Sequence, residues 1–131
     1  MTWIAVPLGG SPVYIIGNTD MHLKNFSMWL SDKQWTLSPA YDLLNVKLIL
    51  PQDKEDIALI LGGKKMNFKK EYFDRFAKVL KLNEIQINAV YKRVVKWLPE
   101  AIQLIDISFL TEERRIEYKD LITQRVIEFT A

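Results

Sequence analysis

Three polar side chains near the start of the chain have the types and spacing that phosphoryl transfer requires. Asp20 and Asn25 lie five positions apart, and Asp42 follows Asp20 by 22 positions. This chemistry needs one carboxylate that orients the attacking hydroxyl and accepts its proton. It also needs two hard oxygen ligands that hold Mg²⁺ against the phosphates of ATP. Asp20 is therefore the candidate base, and Asn25 and Asp42 are the candidate metal ligands.

A β-hairpin between Asn25 and Asp42 is predicted to bring these two residues together. The segments 26–30 and 34–37 are apolar and aromatic, and the polar residues 31–33 separate them. This pattern favours two short strands joined by a three-residue loop. Because a hairpin brings its ends together, we expect Asn25 at its entrance and Asp42 just past its exit to lie close in space.

A simpler interpretation of Asp20 is available from the same residues. Asn18, Thr19 and Asp20 form good turn chemistry, and turn-forming aspartates are far commoner than catalytic ones. An Asp-x4-Asn pair alone is therefore a weak signal. The predicted hairpin and the second aspartate favour the catalytic interpretation, and the full motif favours it more.

That full motif carries a family resemblance. Residues 18–27, NTDMHLKNFS, together with residues 39–44, PAYDLL, resemble the C-terminal half of HipA-type kinases, the toxins of bacterial toxin–antitoxin pairs. The resemblance runs from about Ile16 to the C-terminus. It implies a Ser/Thr protein kinase that uses ATP as substrate and Mg²⁺ as cofactor, with a two-lobed kinase-like fold.

The resemblance also assigns roles within the loop. Asp20 matches the family's catalytic aspartate, and Asn25 and Asp42 match its cofactor- and metal-binding residues. His22 and Lys24 are further catalytic candidates. His22 could shuttle a proton, although with Asp20 as base it is the better candidate for holding the loop in shape. Lys24 could neutralise charge on the transferring phosphate or be an exposed lysine, and the sequence favours neither.

The resemblance implies partners as well. In its best-known member the protein substrate is an aminoacyl-tRNA synthetase, glutamyl-tRNA synthetase, and a small DNA-binding antitoxin holds the kinase in check. A kinase of this family also needs an N-lobe, which supplies a phosphate-covering loop and a strand lysine. We therefore expect the chain to be a C-lobe remnant, whether a fragment, a truncated gene or a split-gene product, and to be inactive alone. A separate N-lobe chain could complete it.

Residues 1–15 do not resemble the family, so we divide the chain into an atypical segment, 1–15, and a HipA-like kinase C-lobe, 16–131. The first lysine is Lys24, and residues 9–11, Gly-Gly-Ser, lack the spacing of a nucleotide-binding loop. In kinases a helix normally precedes the catalytic loop. Here Pro and Gly residues disfavour that helix. These residues are Pro7, Gly9, Gly10 and Pro12.

Composition excludes several classes of protein. The 131 residues are 49% hydrophobic and 26% charged, which fits one globular domain. The net charge of +2 argues against direct nucleic-acid binding. There is no cysteine and one histidine, so any metal must be held by oxygen ligands. With no apolar stretch long enough for a membrane span and no signal peptide, we expect a cytoplasmic protein.

The rest of the chain predicts a mainly helical α+β fold, a kinase-like C-terminal lobe in which a β-hairpin carries the catalytic loop. Residues 46–50 and 57–61 are predicted to pair as a second hairpin. Apolar periodicity and the caps Asn83 and Thr111 predict four helices that form a bundle. Their expected bounds are about 69–80, 84–98, 100–108 and 112–129.

Three functions from different classes remain open. The chain could be the catalytic lobe of a HipA-like kinase, which is the preferred interpretation. It could instead be an inactive remnant that binds a protein such as the antitoxin. It could also be a small-molecule phosphotransferase of kinase-like fold, although the loop motif favours the HipA family over that group.

Overall fold

The computed structural model describes residues 10–39 and 41–131, so the predictions that rest on Pro7 and Gly9 lie outside it. The described residues form a mixed α+β fold that is mainly helical, as predicted, with one two-stranded antiparallel sheet. The elements in chain order are α1 (Gly10–Ile16), β1 (Met28–Ser31), β2 (Gln34–Leu37), α2 (Val46–Ile49), α3 (Lys70–Val79), α4 (Glu84–Asp106) and α5 (Glu112–Thr130).

The predicted hairpin is present, with a tighter turn than expected. Ser31 pairs with Gln34, so the loop contains two residues, Asp32 and Lys33, and the predicted three-residue loop is wrong. Both loop residues have positive φ, 50° and 63°. Two consecutive positive φ values define a type I′ turn, whose twist matches that of the paired strands. The turn geometry therefore fixes the register of β1 against β2.

The helix α1 contradicts the expectation that no helix precedes the candidate catalytic loop. Gly10 is its first residue and Pro12 its third. The amides of the first helical turn have no acceptor within the helix, so a proline there removes no hydrogen bond. Tyr14 and Ile15, in the following turn, are almost completely buried. Burial of these side chains against the core supports the helix despite its unfavourable start.

The predicted second hairpin is wrong. Val46–Ile49 form the short helix α2 instead of a strand, and the side chain of Asn45 caps it by accepting a hydrogen bond from the amide of Leu48 at 3.0 Å. Residues 57–61 make one isolated bridge, between Leu61 and Lys64. Short apolar runs do not distinguish strand from helix by periodicity. Here the asparagine cap favours the helix.

Helix α4 passes through Pro99, where the sequence predicted one helix to end and another to begin. An interior proline costs about 3 kcal/mol. Ile87 and Tyr91 before the proline and Ala101 and Ile105 after it all belong to one buried core. Because the same face is buried on both sides of Pro99, packing outweighs the lost hydrogen bond. Within the described residues the predicted four-helix bundle therefore consists of three long helices.

Aromatic rings hold these helices together. Phe129 of α5 lies with its ring centroid 4.7 Å from that of Phe73 and 4.9 Å from that of Tyr91. The ring centroid of Tyr14 of α1 lies 5.3 Å from that of Phe73. Edge-to-face and tilted contacts at these distances are favourable. The core thus joins α1, α3, α4 and α5, and α5 is its centre.

The first residues of α4 and α5 agree with the prediction, whereas two apolar side chains of these helices are more exposed than predicted. Asn83 and Thr111 accept hydrogen bonds from backbone amides three residues onward and cap α4 and α5. Apolar spacing predicts that Ile85 of α4 and Ile116 of α5 face inward, but their side chains are 81% and 51% exposed. Even so, no helix formed by the described residues combines the length and the apolar character that a membrane span needs.

Replacing Phe129 by alanine should destabilise the protein strongly. Phe129 is fully buried and contacts two other rings, so its truncation should lower the free energy of unfolding by about 3–5 kcal/mol. Equilibrium urea denaturation measures this change. Ile127→Ala is the matched control, because Ile127 lies on the same helix and is 58% exposed; its effect should stay within about 0.5 kcal/mol. Equal losses in the two variants would contradict the assigned core.

Candidate functional site

The loop that carries Asp20 begins at the end of α1. The amide of Asn18 donates to the carbonyl of Val13 at 3.0 Å, and the amide of Gly17 donates to that of Tyr14 at 3.2 Å. With φ of 77° at Gly17, these two bonds form a Schellman motif, which ends a helix and reverses the chain. Asp20 follows immediately on the exposed side of this reversal.

Asn18 is the residue that ties the two halves of the motif together. Its side chain is buried, and its Nδ2 donates a hydrogen bond to the backbone carbonyl of Asp42 at 3.1 Å. Its Oδ1 accepts one from the amide of Asp20 at 3.1 Å. One buried amide group therefore holds the backbone of both candidate aspartates. A buried side chain with both ends bonded has little freedom to move.

Asn25 lies at the end of a 3₁₀ turn, Leu23–Asn25, that the structure adds to the predicted elements. Its amide donates to the carbonyl of His22 at 2.9 Å, and its Oδ1 accepts from the amide of His22 at 3.1 Å. These reciprocal bonds close the loop between Asp20 and the hairpin. The buried side chain of Asn25 is thereby fixed at the entrance to β1.

The hairpin brings Asp42 to Asn25, as the spacing predicted. Nδ2 of Asn25 donates a hydrogen bond to Oδ2 of Asp42 at 2.7 Å. Asp42 has φ of 56°, a left-handed conformation that aspartate tolerates better than most residues. Residues 17 positions apart are thus in direct contact through their side chains. The metal-binding role of the pair remains a prediction.

The other candidate residues are exposed around this pair. Nε2 of His22 lies 3.2 Å from Oδ1 of Asp20, and the two side chains are 48% and 68% exposed. Asp20 is therefore accessible to an incoming group. Lys24 is also exposed, on the 3₁₀ turn. The contact with Asp20 agrees with a loop-shaping role for His22, and the exposure of Lys24 leaves both of its interpretations open.

The donor set fits Mg²⁺ better than a softer metal. Asp42 and Asn25 offer carboxylate and amide oxygens, which hard cations prefer. Across residues 10–39 and 41–131, no three His, Cys, Asp or Glu side chains gather into a set that could enclose a metal. Mg²⁺ usually binds proteins through one or two carboxylates, with phosphate oxygens and water completing its shell. A two-residue site is consistent with that pattern.

Sequence reasoning missed a contact beside Asp20. The buried hydroxyl of Thr19 donates to Oδ2 of Asp53 at 2.6 Å. This hydrogen bond, followed by the one from the amide of Glu55, lowers the pKa of the Asp53 carboxyl below its ordinary value. From the sequence, the polar residues 51–56 predict only a turn between the two expected strands. No local pattern relates it to Thr19, because the two are 34 positions apart.

The comparison with protein families gives a match over most of this region. The HipA-like C-terminal domain matches residues 13–102, which contain the whole loop, the hairpin, Asp42 and most of α4. The match covers more than half of the chain. Helix α5, whose Phe129 lies at the centre of the core, follows the matched residues.

A solved structure has a similar fold. It is that of the Shewanella oneidensis MR-1 toxin–antitoxin system, HipA with HipB and its operator DNA. This chain superposes on it with a TM-score of 0.73 at 18% sequence identity, and the alignment covers 95% of this chain. The chain spans about a third of the length of that relative, 32%. At this identity the likeness shows the shared fold alone.

Gly17→Ala should destabilise the loop more than the same change at Gly63. Both glycines have positive φ, 77° and 82°, so each alanine carries a left-handed penalty of about 1 kcal/mol. A Cβ at Gly17 would also lie 2.9 Å from Oδ1 of Asn45, which caps α2, whereas one at Gly63 meets nothing within 4 Å. We expect a further loss of about 1–3 kcal/mol at Gly17. Thermal unfolding of both variants measures the difference, and equal losses would contradict the crowding.

Proposed function

The chain belongs to the family of HipA-like C-terminal domains, and we propose that it is the catalytic lobe of a Ser/Thr protein kinase. In this proposal it holds Mg²⁺ and the catalytic aspartate for transfer of the γ-phosphate of ATP to a protein hydroxyl. The observation that carries the proposal is the 2.7 Å contact between Asn25 and Asp42, beside the loop of Asp20. In the HipA structure that has a similar fold, this lobe is part of a longer chain, of which the present chain spans 32%.

Asp20 is the proposed base. Its side chain is 68% exposed, so a hydroxyl of the substrate can reach it, while its backbone amide is held by Asn18. In phosphoryl transfer the carboxylate orients the hydroxyl and accepts its proton. His22, at 3.2 Å, restricts the directions that the carboxylate can take. Lys24 on the adjacent 3₁₀ turn is a candidate for neutralising charge on the phosphate.

Asn25 and Asp42 are the proposed Mg²⁺ ligands. Oδ1 of Asn25 has two lone pairs, of which the amide of His22 uses one, so the second is free for a cation. Asp42 keeps Oδ1 in addition to the oxygen that accepts from Asn25. Mg²⁺ bound there would neutralise negative charge on the ATP phosphates. The protein contributes the fixed separation of the two ligands, which the hairpin sets.

The exposed apolar surface of the hairpin supports the proposal that an N-lobe completes the kinase. Helices α1, α2, α3 and α4 pack on α5, whereas β1 and β2 pair with each other. Four large apolar side chains of the hairpin are 52–68% exposed. A two-stranded hairpin is marginally stable in water unless something covers it. We propose that the N-lobe, which brings the phosphate-covering loop and the strand lysine, packs beside this surface. The four residues are Met28, Trp29, Leu30 and Trp35.

We further propose a DNA-binding antitoxin as partner and a protein as substrate. The relative with a similar fold is a HipA that is bound to HipB and operator DNA. The small net charge of this chain, +2, agrees with DNA contacts made by the partner instead of by this chain. The substrate proposal, an aminoacyl-tRNA synthetase, rests on the motif resemblance.

A protein-binding module without activity is the second candidate. The exposed apolar hairpin favours it, because such a surface is typical of an interaction site whether or not catalysis occurs. Turnover distinguishes the two candidates. An inactive module would retain its partner and lack phosphoryl transfer even when completed by an N-lobe.

Asp20→Asn should strongly reduce kinase activity in the assembled kinase, defined as this chain together with its N-lobe. Removal of the base should lower kcat about 10²–10⁴-fold, because the carboxylate can no longer accept the proton. Asp32→Asn is the matched control: Asp32 lies in the hairpin turn, and asparagine tolerates its φ of 50°. The assay measures transfer of labelled phosphate to protein. Wild-type turnover in Asp20→Asn would remove Asp20 from its proposed role.

The isolated chain should bind Mg²⁺–ATP weakly or not at all, whereas the assembled kinase should bind it. This difference follows because the N-lobe contributes the groups that cover the phosphates. Isothermal titration calorimetry at fixed Mg²⁺ concentration measures both. Asp42→Asn in the assembled kinase should raise the Mg²⁺ concentration needed for half-maximal binding. Tight binding of Mg²⁺–ATP by the isolated chain would contradict the claim that half of the site lies elsewhere.

A further inference from the structure

The hydroxyl of Thr19 has one strong partner, the carboxylate of Asp53. The donor is buried, and the distance from its Oγ1 to Oδ2 of Asp53 is 2.6 Å. A hydroxyl that donates to an ionised carboxylate at this distance makes a hydrogen bond about twice as strong as one between neutral groups. Thr19 precedes Asp20 directly, so this bond fixes the backbone from which Asp20 projects.

Asp53 is itself held at three points. Its Oδ1 accepts from the amide of Glu55 at 3.0 Å. Its backbone carbonyl accepts from Nζ of Lys47 at 2.6 Å, and its amide donates to the carbonyl of Leu50 at 3.0 Å. An acceptor that is fixed in this way restricts the position of the hydroxyl that donates to it. Asp53 is therefore suited to position Thr19, whose hydroxyl donates to it.

The anchors of Asp53 lead back to the helical core. Nζ of Lys47 lies 3.7 Å from Oδ1 of Asp56, and that oxygen pairs with the buried guanidinium of Arg125 at 2.7 Å. The backbone amide of Lys47 also donates to the carbonyl of Gly17 at 3.2 Å. A continuous set of polar contacts thus joins α5 to Gly17 and Thr19, which both precede Asp20.

We propose that Asp53 is a positioning residue for phosphoryl transfer, acting through the hydroxyl of Thr19 to fix the carboxylate of Asp20. This inference rests on the proposed kinase function and adds a residue to it. Asn18 holds the amide of Asp20, and Asp53 holds the side chain of the preceding residue. A displacement of a catalytic group by about 1 Å can lower the rate on the order of 10²-fold. Loss of the hydrogen bond between Thr19 and Asp53 should therefore lower kcat.

The test compares Thr19→Val with Thr19→Ser in the assembled kinase. Valine has nearly the shape of threonine and lacks the hydroxyl, whereas serine keeps the hydroxyl. We expect Thr19→Val to lower kcat about 10- to 100-fold with the KM for ATP nearly unchanged, and Thr19→Ser to restore most of the rate. Thr123→Val, on α5 and outside both the loop and the hairpin, is the control and should behave as wild type.

Asp53→Asn is the second variant, because it removes the charge of the acceptor without touching the loop. It should give a smaller loss of kcat than Thr19→Val, and adding it to Thr19→Val should cause little further loss, since both act through one contact. If Thr19→Val does not fold, as judged by thermal unfolding, the kcat of Asp53→Asn alone tests the positioning role. The inference is overturned by wild-type kcat in the folded variants, or by a loss that appears in KM alone.

The same assay separates this inference from the proposed function. Absence of turnover in the wild-type assembled kinase would defeat the proposed function itself. An active wild-type enzyme whose Thr19→Val and Asp53→Asn variants are equally active would defeat only the role of Asp53. An active wild-type enzyme with a slow Thr19→Val variant that serine rescues supports both.

Discussion

The contact between Asn25 and Asp42 depends on a reversal of the chain, and much of the local structure stabilises that reversal. The type I′ turn at Asp32 and Lys33 sets the hairpin register. Asn18 then binds the carbonyl of Asp42, so the end of the hairpin is fixed to the start of the loop. Together, these two constraints keep Nδ2 of Asn25 within 2.7 Å of Oδ2 of Asp42, although the residues are 17 positions apart.

The helices give this loop a rigid support. Helix α2 binds the carbonyl of Gly17 through two backbone amides, and α2 in turn packs on α5. The buried Arg125 of α5 pairs with Asp56 and also donates to the carbonyl of Tyr14 in α1. A buried guanidinium is tolerated when its hydrogens are paired in this way. Catalytic groups need such support because their geometry must hold within a fraction of an ångström.

Sequence alone predicted the features that local rules govern. The hairpin, the caps Asn83 and Thr111 and the closeness of Asn25 to Asp42 follow from alternation, capping chemistry and spacing. It was wrong where tertiary packing overrides local preference. Helix α4 continues through Pro99 because the same face is buried before and after it, and α1 forms although it contains a glycine and a proline. The contact of Thr19 with Asp53 was missed because only the fold brings these residues together.

In the proposed kinase, Asn25 and Asp42 together hold the divalent cation of the phosphoryl-transfer site. The most direct measurement is a crystal structure of the assembled kinase with Mn²⁺ in place of Mg²⁺ and a non-hydrolysable ATP analogue. Anomalous scattering then locates the cation. We expect an anomalous peak at coordination distance, about 2.0–2.2 Å, from an oxygen of each of the two side chains. A cation bound to the nucleotide elsewhere, with Asn25 and Asp42 still bonded to each other, would contradict it.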